Sequence, residues 1–297
     1  METADLAILT EKRYLQKKVG NHYVENIFKE DNLIQKELEL FGLNCKRVAW
    51  DDNFNPALFK YALFRTTWNY FDQIHNFNNF LKICENKVIL INSREQILWN
   101  LNKKYLLELQ LSGINIPKTH LVKKGSDCDL IQLCCDYGWQ EVVVKPCVSA
   151  AAWNTHYIKK INTDSNSLFK NLVQNHDMLV QLFQKNILNF GEISLMMIDG
   201  KYSHAVLKKA KIGDFRVQDD FGGTVSQYQP SKKEIQFGEN TINKLSFKPI
   251  YARVDIIIDN NNNLALSELE LIEPEMWFRF FPSSAKKLAL KIKNYFN

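Results

Sequence analysis

Short apolar runs alternate with helical patterns through the N-terminal third of the chain. The runs predict strands at residues 5–9, 44–50, 61–65 and 88–91. The helical spacing of apolar residues in the segments between them predicts helices at residues 32–41 and 76–84. Strands that alternate with helices indicate an α/β layer with a largely parallel sheet. Because such sheets bind ligands at the carboxyl ends of their strands, the turn after Arg65 is a candidate for substrate recognition. The candidate side chains are Arg65, Thr67, Trp68 and Tyr70, and the alternative is a structural turn with a packed tryptophan.

A second unit begins near Asn92 and is richer in hairpins. Helical patterns cover residues 99–111 and 130–137, and predicted strands cover residues 116–122, 141–145 and 178–183. The runs 193–198 and 202–208 predict a hairpin around Asp199-Gly200. Two more strands, 251–258 and 264–271, flank an asparagine-rich turn, and residues 285–296 form an amphipathic helix with lysines on one face. The pattern is that of an α/β protein whose later parts are α+β.

Composition narrows the class of protein. The chain has 297 residues, a hydrophobic fraction of 45% and a net charge of +5, which fits a globular protein of about two domains. No long basic run indicates a nucleic-acid partner, and no apolar stretch approaches the ~20 residues of a membrane span. The six cysteines form no CxxC pair, so buried free thiols are a better interpretation than a disulfide framework or zinc site. Together with an N-terminus unlike a signal peptide, this predicts a cytoplasmic protein.

Three carboxylates form the strongest candidate site. Asp255 lies on one predicted strand, and Glu268 and Glu270 lie two residues apart on the next, so the glutamates share a face. If the two strands pair, Asp255 joins them, and three carboxylates in an apolar hairpin repel one another without a cation. Hard oxygen ligands favour magnesium, especially magnesium shared with phosphates. The alternative is an alternating strand with acids that face solvent.

Lysines near strand and helix ends are the second signal. Lys145 closes the strand EVVVK, and the loop PCVSAAAWNT that follows, which contains Ser149, has mostly small side chains. Small residues let backbone N–H groups approach phosphate oxygens, and the lysine adds a positive charge. Lys103 opens the helix in WNLNKKYLL. The Walker pattern GxxxxGK[ST] is absent, and each lysine taken alone is also compatible with an exposed surface position.

The segment HAVLKKAKIGDFRVQDDFGG is polar, punctuated by glycine and hard to explain as core. It brings Lys208, Asp214, Arg216 and Gln218 close together in sequence. Segments of this kind commonly close over anionic substrates, so we expect a flexible clamp over residues 204–223. An exposed mobile loop without such a role is the alternative.

The order of these pieces resembles the ATP-grasp superfamily. The pieces are NKKYL with SGINIP, VVVKP, LVQLF, GEISL, GDFRVQDDFGG, RVD and SELE, and their succession is more specific than any one of them. RTTWNYF, WNLNKKYL, VKPCVSA and SHAVLK are most similar to the glutathione-synthetase-like ligases, the group that includes the D-cycloserine-forming ligase. The resemblance implies a parallel-sheet N-terminal pre-ATP-grasp substrate domain at residues 1–92. It also implies a small lobe at residues 93–180 and a large catalytic lobe at residues 181–297, with ATP between the two lobes.

The resemblance also implies a role for each candidate residue. Lys103, Lys145 and the loop around Ser149 would bind ATP phosphates, Glu192 would hold the ribose, and the hinge that reads adenine would comprise Gln181, Leu182, Phe183 and Gln184. Lys208 and Arg216 would be catalytic by facing the transferred phosphate, and Mg²⁺ or Mn²⁺ would bind Asp255, Glu268 and Glu270. On chemical grounds Arg253, together with Arg216, is the catalytic candidate for stabilising the oxyanion that forms during acyl transfer. Two departures stand out: many family members have asparagine where Glu270 stands, and the loop after Lys145 is less glycine-rich than in other branches.

The implied activity is an ATP-dependent carboxylate–amine ligase that acts on a small amino-acid-like substrate through an acyl phosphate and releases ADP and phosphate. Its partners would be small carboxylates and amines, not nucleic acid or membranes. An intramolecular cyclising ligase and an inactive ATP-binding module stay as alternatives. An NAD-dependent oxidoreductase is disfavoured, because no GxGxxG follows the first strand. The sequence does not determine the oligomeric state, and a homodimer stays open.

Overall fold

A computed structural model describes residues 3–16, 20–211, 213–214, 216 and 222–295 of the chain. It contains three sheets, one parallel and two antiparallel. Within this part of the chain no helix is both long and apolar enough to cross a membrane. The six cysteines are free, and four of them are buried.

The N-terminal layer is a parallel sheet with the strand order β2-β1-β3-β4. It consists of β1 (Ala4–Thr10), α1 (His22–Leu40), β2 (Cys45–Ala49), β3 (Phe59–Thr66), α2 (Ile74–Cys84) and β4 (Ile89–Ile91). The predicted alternation of strands and helices is confirmed here. Helix α1 begins well before the predicted residue 32, because the Asn21 side chain caps it by accepting the Val24 amide at 3.2 Å.

The second sheet has the order β5-β8-β6-β7, and we refer to it and its two helices as the small lobe. Its elements are β5 (Thr119–Val122), α5 (Leu130–Tyr137), β6 (Val142–Pro146), β7 (His156–Ile158), α6 (Thr163–Asn175) and β8 (Met178–Leu182). The sequence analysis did not predict β7 or α6. Because β8 runs through the boundary predicted at residue 180, we propose that the small lobe extends to Leu182.

The third sheet has the order β11-β10-β9-β12-β13, and we refer to it and its helices as the large lobe. Its elements are α7 (Ile187–Phe190), β9 (Glu192–Ile198), β10 (Lys201–Lys209), β11 (Thr224–Tyr228), α8 (Lys232–Asn243), β12 (Tyr251–Ile258), β13 (Leu264–Glu270) and α9 (Pro282–Tyr295). Both predicted hairpins, β9–β10 and β12–β13, are present and antiparallel. The first part of the expected clamp is therefore strand β10, and Gln218 lies outside the described residues.

The connection between the first two units is not the single helix predicted at residues 99–111. It consists of α3 (Arg94–Asn100) and α4 (Tyr105–Leu111), separated by residues 101–104. Hydrogen bonds to other parts of the molecule replace helical ones in this break. The Lys103 amide donates to Cys147 O at 2.7 Å, and the Asn100 side chain donates to Leu269 O at 2.8 Å. Lys103 therefore lies between the lobes.

The N-terminal layer and the large lobe share one hydrophobic core. Leu6 and Ile8 of β1 and Leu38 of α1 belong to the same buried cluster as Phe278 and Ile292. Removing this apolar surface from water fixes the N-terminal layer against the large lobe. The ends of β3 and β13 are thereby held close to the space between the two lobes.

Candidate active site

One cavity of about 270 Å³ lies among the three units. All fourteen residues predicted as catalytic, nucleotide-binding or metal-binding line it: Lys103, Lys145, Ser149, Gln181, Leu182, Phe183, Gln184, Glu192, Lys208, Arg216, Arg253, Asp255, Glu268 and Glu270. The volume is close to the range of about 300–1,000 Å³ that is typical of ligand sites. The structure thus brings together residues that are spread over most of the sequence.

The β12–β13 hairpin supplies the acidic wall. Asp255 stands opposite Glu268 in the strand register, and Arg253 stands opposite Glu270. Arg253 Nη2 lies 2.8 Å from Asp255 Oδ2 and also pairs with Glu270. Burial alone would raise the pKa of Asp255, but Arg253 and Lys208 outweigh it and hold the pKa at about 2. Burial, with repulsion from Glu268 and Asp255, raises the pKa of Glu270 to about 7 despite the attraction of Arg253.

Two lysines face this wall from the small-lobe side. Lys103 Nζ lies 2.5 Å from Glu268 Oε1. Lys145 lines the same cavity, and within the described part of the chain no carboxylate oxygen lies within the 4.0 Å of a salt bridge to it. Burial, reinforced by the positive charge of Lys103, lowers the pKa of Lys145 despite the attraction of Glu268. A partly buried ammonium without its own counter-ion favours an anionic ligand at this place.

Lys208 enters the cavity from β10. It pairs with Glu192, lies 3.5 Å from Asp255 Oδ2 and stands 5.8 Å from the centroid of the Trp277 ring. Gly191 makes this arrangement possible, because a Cβ at that position would lie 2.2 Å from Lys208 O. Its φ of +80° also favours glycine. The close approach places Glu192 beside the lysine.

The segment from Gln181 to Gln184, which the resemblance assigns to adenine, lines the cavity. The Phe183 ring stacks on Tyr157 with centroids 3.9 Å apart. The amides of Leu182 and Phe183 already donate to Lys118 O at 2.9 Å and Glu141 O at 3.0 Å. Contact of adenine with backbone groups would therefore use other atoms of this segment.

Arg216 is the second residue of the expected clamp, after Lys208, that lines the cavity in the described part of the chain. Its Nη2 lies 2.7 Å from Asp214 Oδ2, and its Nε also donates to that carboxylate. Residues 212, 215 and 217–221 of the expected clamp lie outside the described residues. The flexibility predicted for the clamp stays a prediction.

The wall from the N-terminal layer and the segment after β13 contains residues that the sequence analysis missed. Tyr23, Glu273, Glu275 and Trp277 line the cavity together with the expected Trp68 and Tyr70. Arg65 and Thr67 are buried and are not among the lining residues. A local signal for part of this set exists, because LELIEPEMW places two further acids directly after Glu270.

The donor set fits magnesium by its chemistry. Asp255, Glu268 and Glu270 offer hard oxygen ligands to one cavity that also holds cations for phosphates. Among the described residues, no three His, Cys, Asp or Glu side chains lie close enough together to hold a metal ion by themselves. Each of the three carboxylates is instead paired with Lys103 or Arg253. Magnesium bound here would compete with those side chains.

Comparison with known proteins finds that two family models match separate parts of the chain. The model of the prokaryotic glutathione synthetase ATP-grasp domain matches residues 106–274, and that of the D-cycloserine synthetase DcsG N-terminal domain matches residues 6–92. The cycloserine biosynthesis protein DcsG of Streptomyces lavendulae is 23% identical over 84% of this chain and 87% of its own length.

Two solved structures show the same fold. The crystal structure of D-cycloserine synthetase DcsG has a TM-score of 0.85 at 21% identity and covers 98% of this chain and 99% of its own. D-alanine–D-alanine ligase from Bacillus anthracis, complexed with ATP, has a TM-score of 0.66 at 13% identity and covers 99% of this chain and 100% of its own. The family model spans more than half of the chain, so the protein belongs to the ATP-grasp family of the prokaryotic glutathione synthetase type and is an ATP-dependent, ADP-forming carbon–nitrogen ligase.

Proposed function

We propose that the protein activates the carboxylate of a small amino-acid-like substrate as an acyl phosphate and transfers the acyl group to an amine. ADP and phosphate are the other products. The observation that carries the proposal is the convergence of Lys103, Lys145 and Lys208 on the same cavity as the Asp255, Glu268 and Glu270 carboxylates. Phosphoryl transfer needs positioned cations more than covalent help from the protein.

Each cation has a role that follows from its place. Lys145 has no carboxylate of its own among the described residues, so it is suited to bind an ATP phosphate, and Lys103 lies beside it. Lys208 and Arg216 enter from β10 and the clamp, where they would face the transferred phosphate. Arg253 would donate to the oxyanion that forms when the amine attacks the acyl carbon.

The metal role falls to the hairpin carboxylates. Asp255, Glu268 and Glu270 would hold Mg²⁺ or Mn²⁺ jointly with the phosphates of ATP. A bound divalent cation supplies charge stabilisation on the phosphoryl oxygens. Closing the clamp over the site would exclude water, which matters because an acyl phosphate hydrolyses.

The test is a screen of amino acids for stimulated ADP release, with hydroxylamine present. An acyl phosphate gives a hydroxamate of the acid, and the nucleotide product is ADP. The Glu268→Gln variant should lose the hydroxamate while ATP still binds weakly, because one metal ligand loses its charge. AMP as the stoichiometric product, or full activity of Glu268→Gln, would contradict the proposal.

A cyclising reaction is the second candidate. It is favoured by the match of residues 6–92 to the DcsG N-terminal domain, the part of the chain expected to choose the substrate. Both reactions would use the same activated carboxylate. In a cyclising reaction the product has the mass of the acid less one water, and its rate of formation does not depend on added amine. Strict dependence on a second amine would exclude cyclisation.

A further inference from the structure

The cavity has one wall whose chemistry the nucleotide and metal roles do not use. Tyr23, Trp68 and Tyr70 of the N-terminal layer meet Glu273 and Trp277 of the segment after β13. Aromatic faces combined with a carboxylate suit a positively charged organic group, because the ring quadrupole and the negative charge both attract it. A phosphate would be repelled at the same place.

Glu273 differs from the other cavity carboxylates in having no cation of its own. The residue is 6% exposed, and within the described part of the chain no Lys, Arg or His nitrogen lies within 4.0 Å of its carboxylate. Its hydrogen-bond partner is the Tyr70 side chain, and burial, reinforced by the negative charge of Glu270, raises the pKa of the Glu273 carboxyl well above its usual range. A cation bound beside this carboxyl would favour its ionised form. Glu275 lines the same wall of the cavity but is paired with Arg279. A buried carboxylate that lacks a counter-ion is costly unless a ligand supplies one.

The protein fixes the position of Glu273 before any ligand binds. Trp68 Nε1 donates to Glu273 O at 3.1 Å, and Arg65 Nη1 donates to Pro274 O at 3.2 Å. Arg65 is itself 2% exposed, so the contact is held within the core. A binding group whose backbone is anchored in this way loses little freedom when a ligand arrives.

We propose that Glu273 binds the ammonium group of the acid substrate, with the rings of Trp68 and Tyr70 beside it. The inference rests on the proposed ligase function and narrows it. The substrate would be a zwitterion, with its carboxylate near Lys208 and Arg216 and its ammonium at Glu273. A metal ion is disfavoured at Glu273, because magnesium and calcium prefer several oxygen ligands and this wall offers mainly aromatic rings.

The experiment compares acids that differ only in the amino group. ADP release and hydroxamate formation are measured with D- and L-alanine against D- and L-lactate, and with D- and L-serine against D- and L-glycerate. The wild-type protein should accept the amino acid of a pair and not the hydroxy acid. In Glu273→Gln the KM for the amino acid should rise at least about 30-fold, the typical effect of breaking a buried charge pair, while the KM for ATP stays unchanged.

Glu275→Gln is the matched control, because this carboxylate borders the same cavity but already has Arg279. It should retain the preference for amino acids. Loss of the preference in Glu275→Gln but not in Glu273→Gln would overturn the assignment. Equal use of amino and hydroxy acids by the wild-type protein would also overturn the assignment of Glu273, and this outcome does not depend on the folding of any variant. The proposed ligase function would then still stand. If none of the acids screened stimulates ADP release, the proposed function is refuted, and the inference with it.

Discussion

Replacing Arg253 by methionine tests both the catalytic and the metal assignments. Arg253 is 8% exposed and joins Asp255 to Glu270 across the hairpin, under the Trp277 ring. Methionine keeps much of the length of the side chain and removes its charge. The carboxylates then face one another with Lys103 and Lys208 as their nearest remaining cations. We expect a less stable protein that binds divalent metal more readily.

The size of the effect follows from the pair geometry. Charges about 4 Å apart attract by about 4 kcal/mol at an effective dielectric constant near 20. Removing one partner of a buried pair costs about 3–5 kcal/mol, because the other charge is left buried. At roughly 2–4 °C for each kcal/mol, the Tm should fall by about 10 °C. Loss of an oxyanion donor should lower kcat about 10²–10³-fold.

Arg47→Met is a matched control. Its Nη2 lies 2.8 Å from Asp31 Oδ2, with side-chain exposures of 11% and 1%, against 2.8 Å, 10% and 2% for Arg253 and Asp255. Both variants should lose stability, measured by thermal unfolding, but only in Arg253→Met should Mg²⁺ restore much of it. ADP release should fall only in Arg253→Met. Equal responses of the two variants to Mg²⁺, or an unchanged kcat in folded Arg253→Met, would refute the reasoning.

Three further changes test single features of the site and its supports. Lys145→Met should leave the Tm unchanged or higher, since a partly buried cation without a carboxylate partner among the described residues is removed. The same change should weaken ATP binding by about tenfold or more in calorimetry. Burial lowers the pKa of His204 from 6.5 to about 4, so its contribution to stability is present above pH 6.5 and is lost as the pH falls towards 4. Urea unfolding should show a loss of up to about 3 kcal/mol over that range, which His204→Asn lacks. Gly191→Ala should lower the free energy of unfolding in urea by about 2 kcal/mol or more and reduce activity, because the added Cβ would meet Lys208 O. The control Gly113→Ala, which is also at positive φ but faces open space, should lower the free energy of unfolding less and keep activity.

The sequence predicts those parts of the site that are built by neighbouring strands. A short turn separates β12 from β13, so period-two alternation is enough to place Asp255 with Glu268. Tyr23 and Glu273 were missed because they lie far apart in sequence and line one cavity only when the N-terminal layer packs against the large lobe. The same limit explains why Arg65, at the carboxyl end of β3, was assigned to substrate recognition although the structure buries it against Pro274.

Helix and strand signals also differ in strength. The clear apolar runs of β1 and β6 were predicted within a residue or so of their observed ends. Helix α6, by contrast, has a polar sequence, and only three of its residues are buried: Phe169, Leu172 and Val173. Such a helix depends on packing against the sheet more than on its own periodicity. The break after α3 was missed for a related reason, since its hydrogen bonds run to residues far away in sequence.

The break between α3 and α4 limits how the chain can change in length. Surface loops commonly accept insertions, because their backbone makes few contacts. Residues 101–104 instead join both lobes: the Lys103 amide reaches Cys147 O on one side, and on the other the Tyr105 hydroxyl accepts the Leu269 amide at 3.0 Å. One added residue would move Lys103 away from Glu268 or pull Tyr105 from β13. The number of residues in this connection is therefore as tightly constrained as the identity of the lysine that it carries.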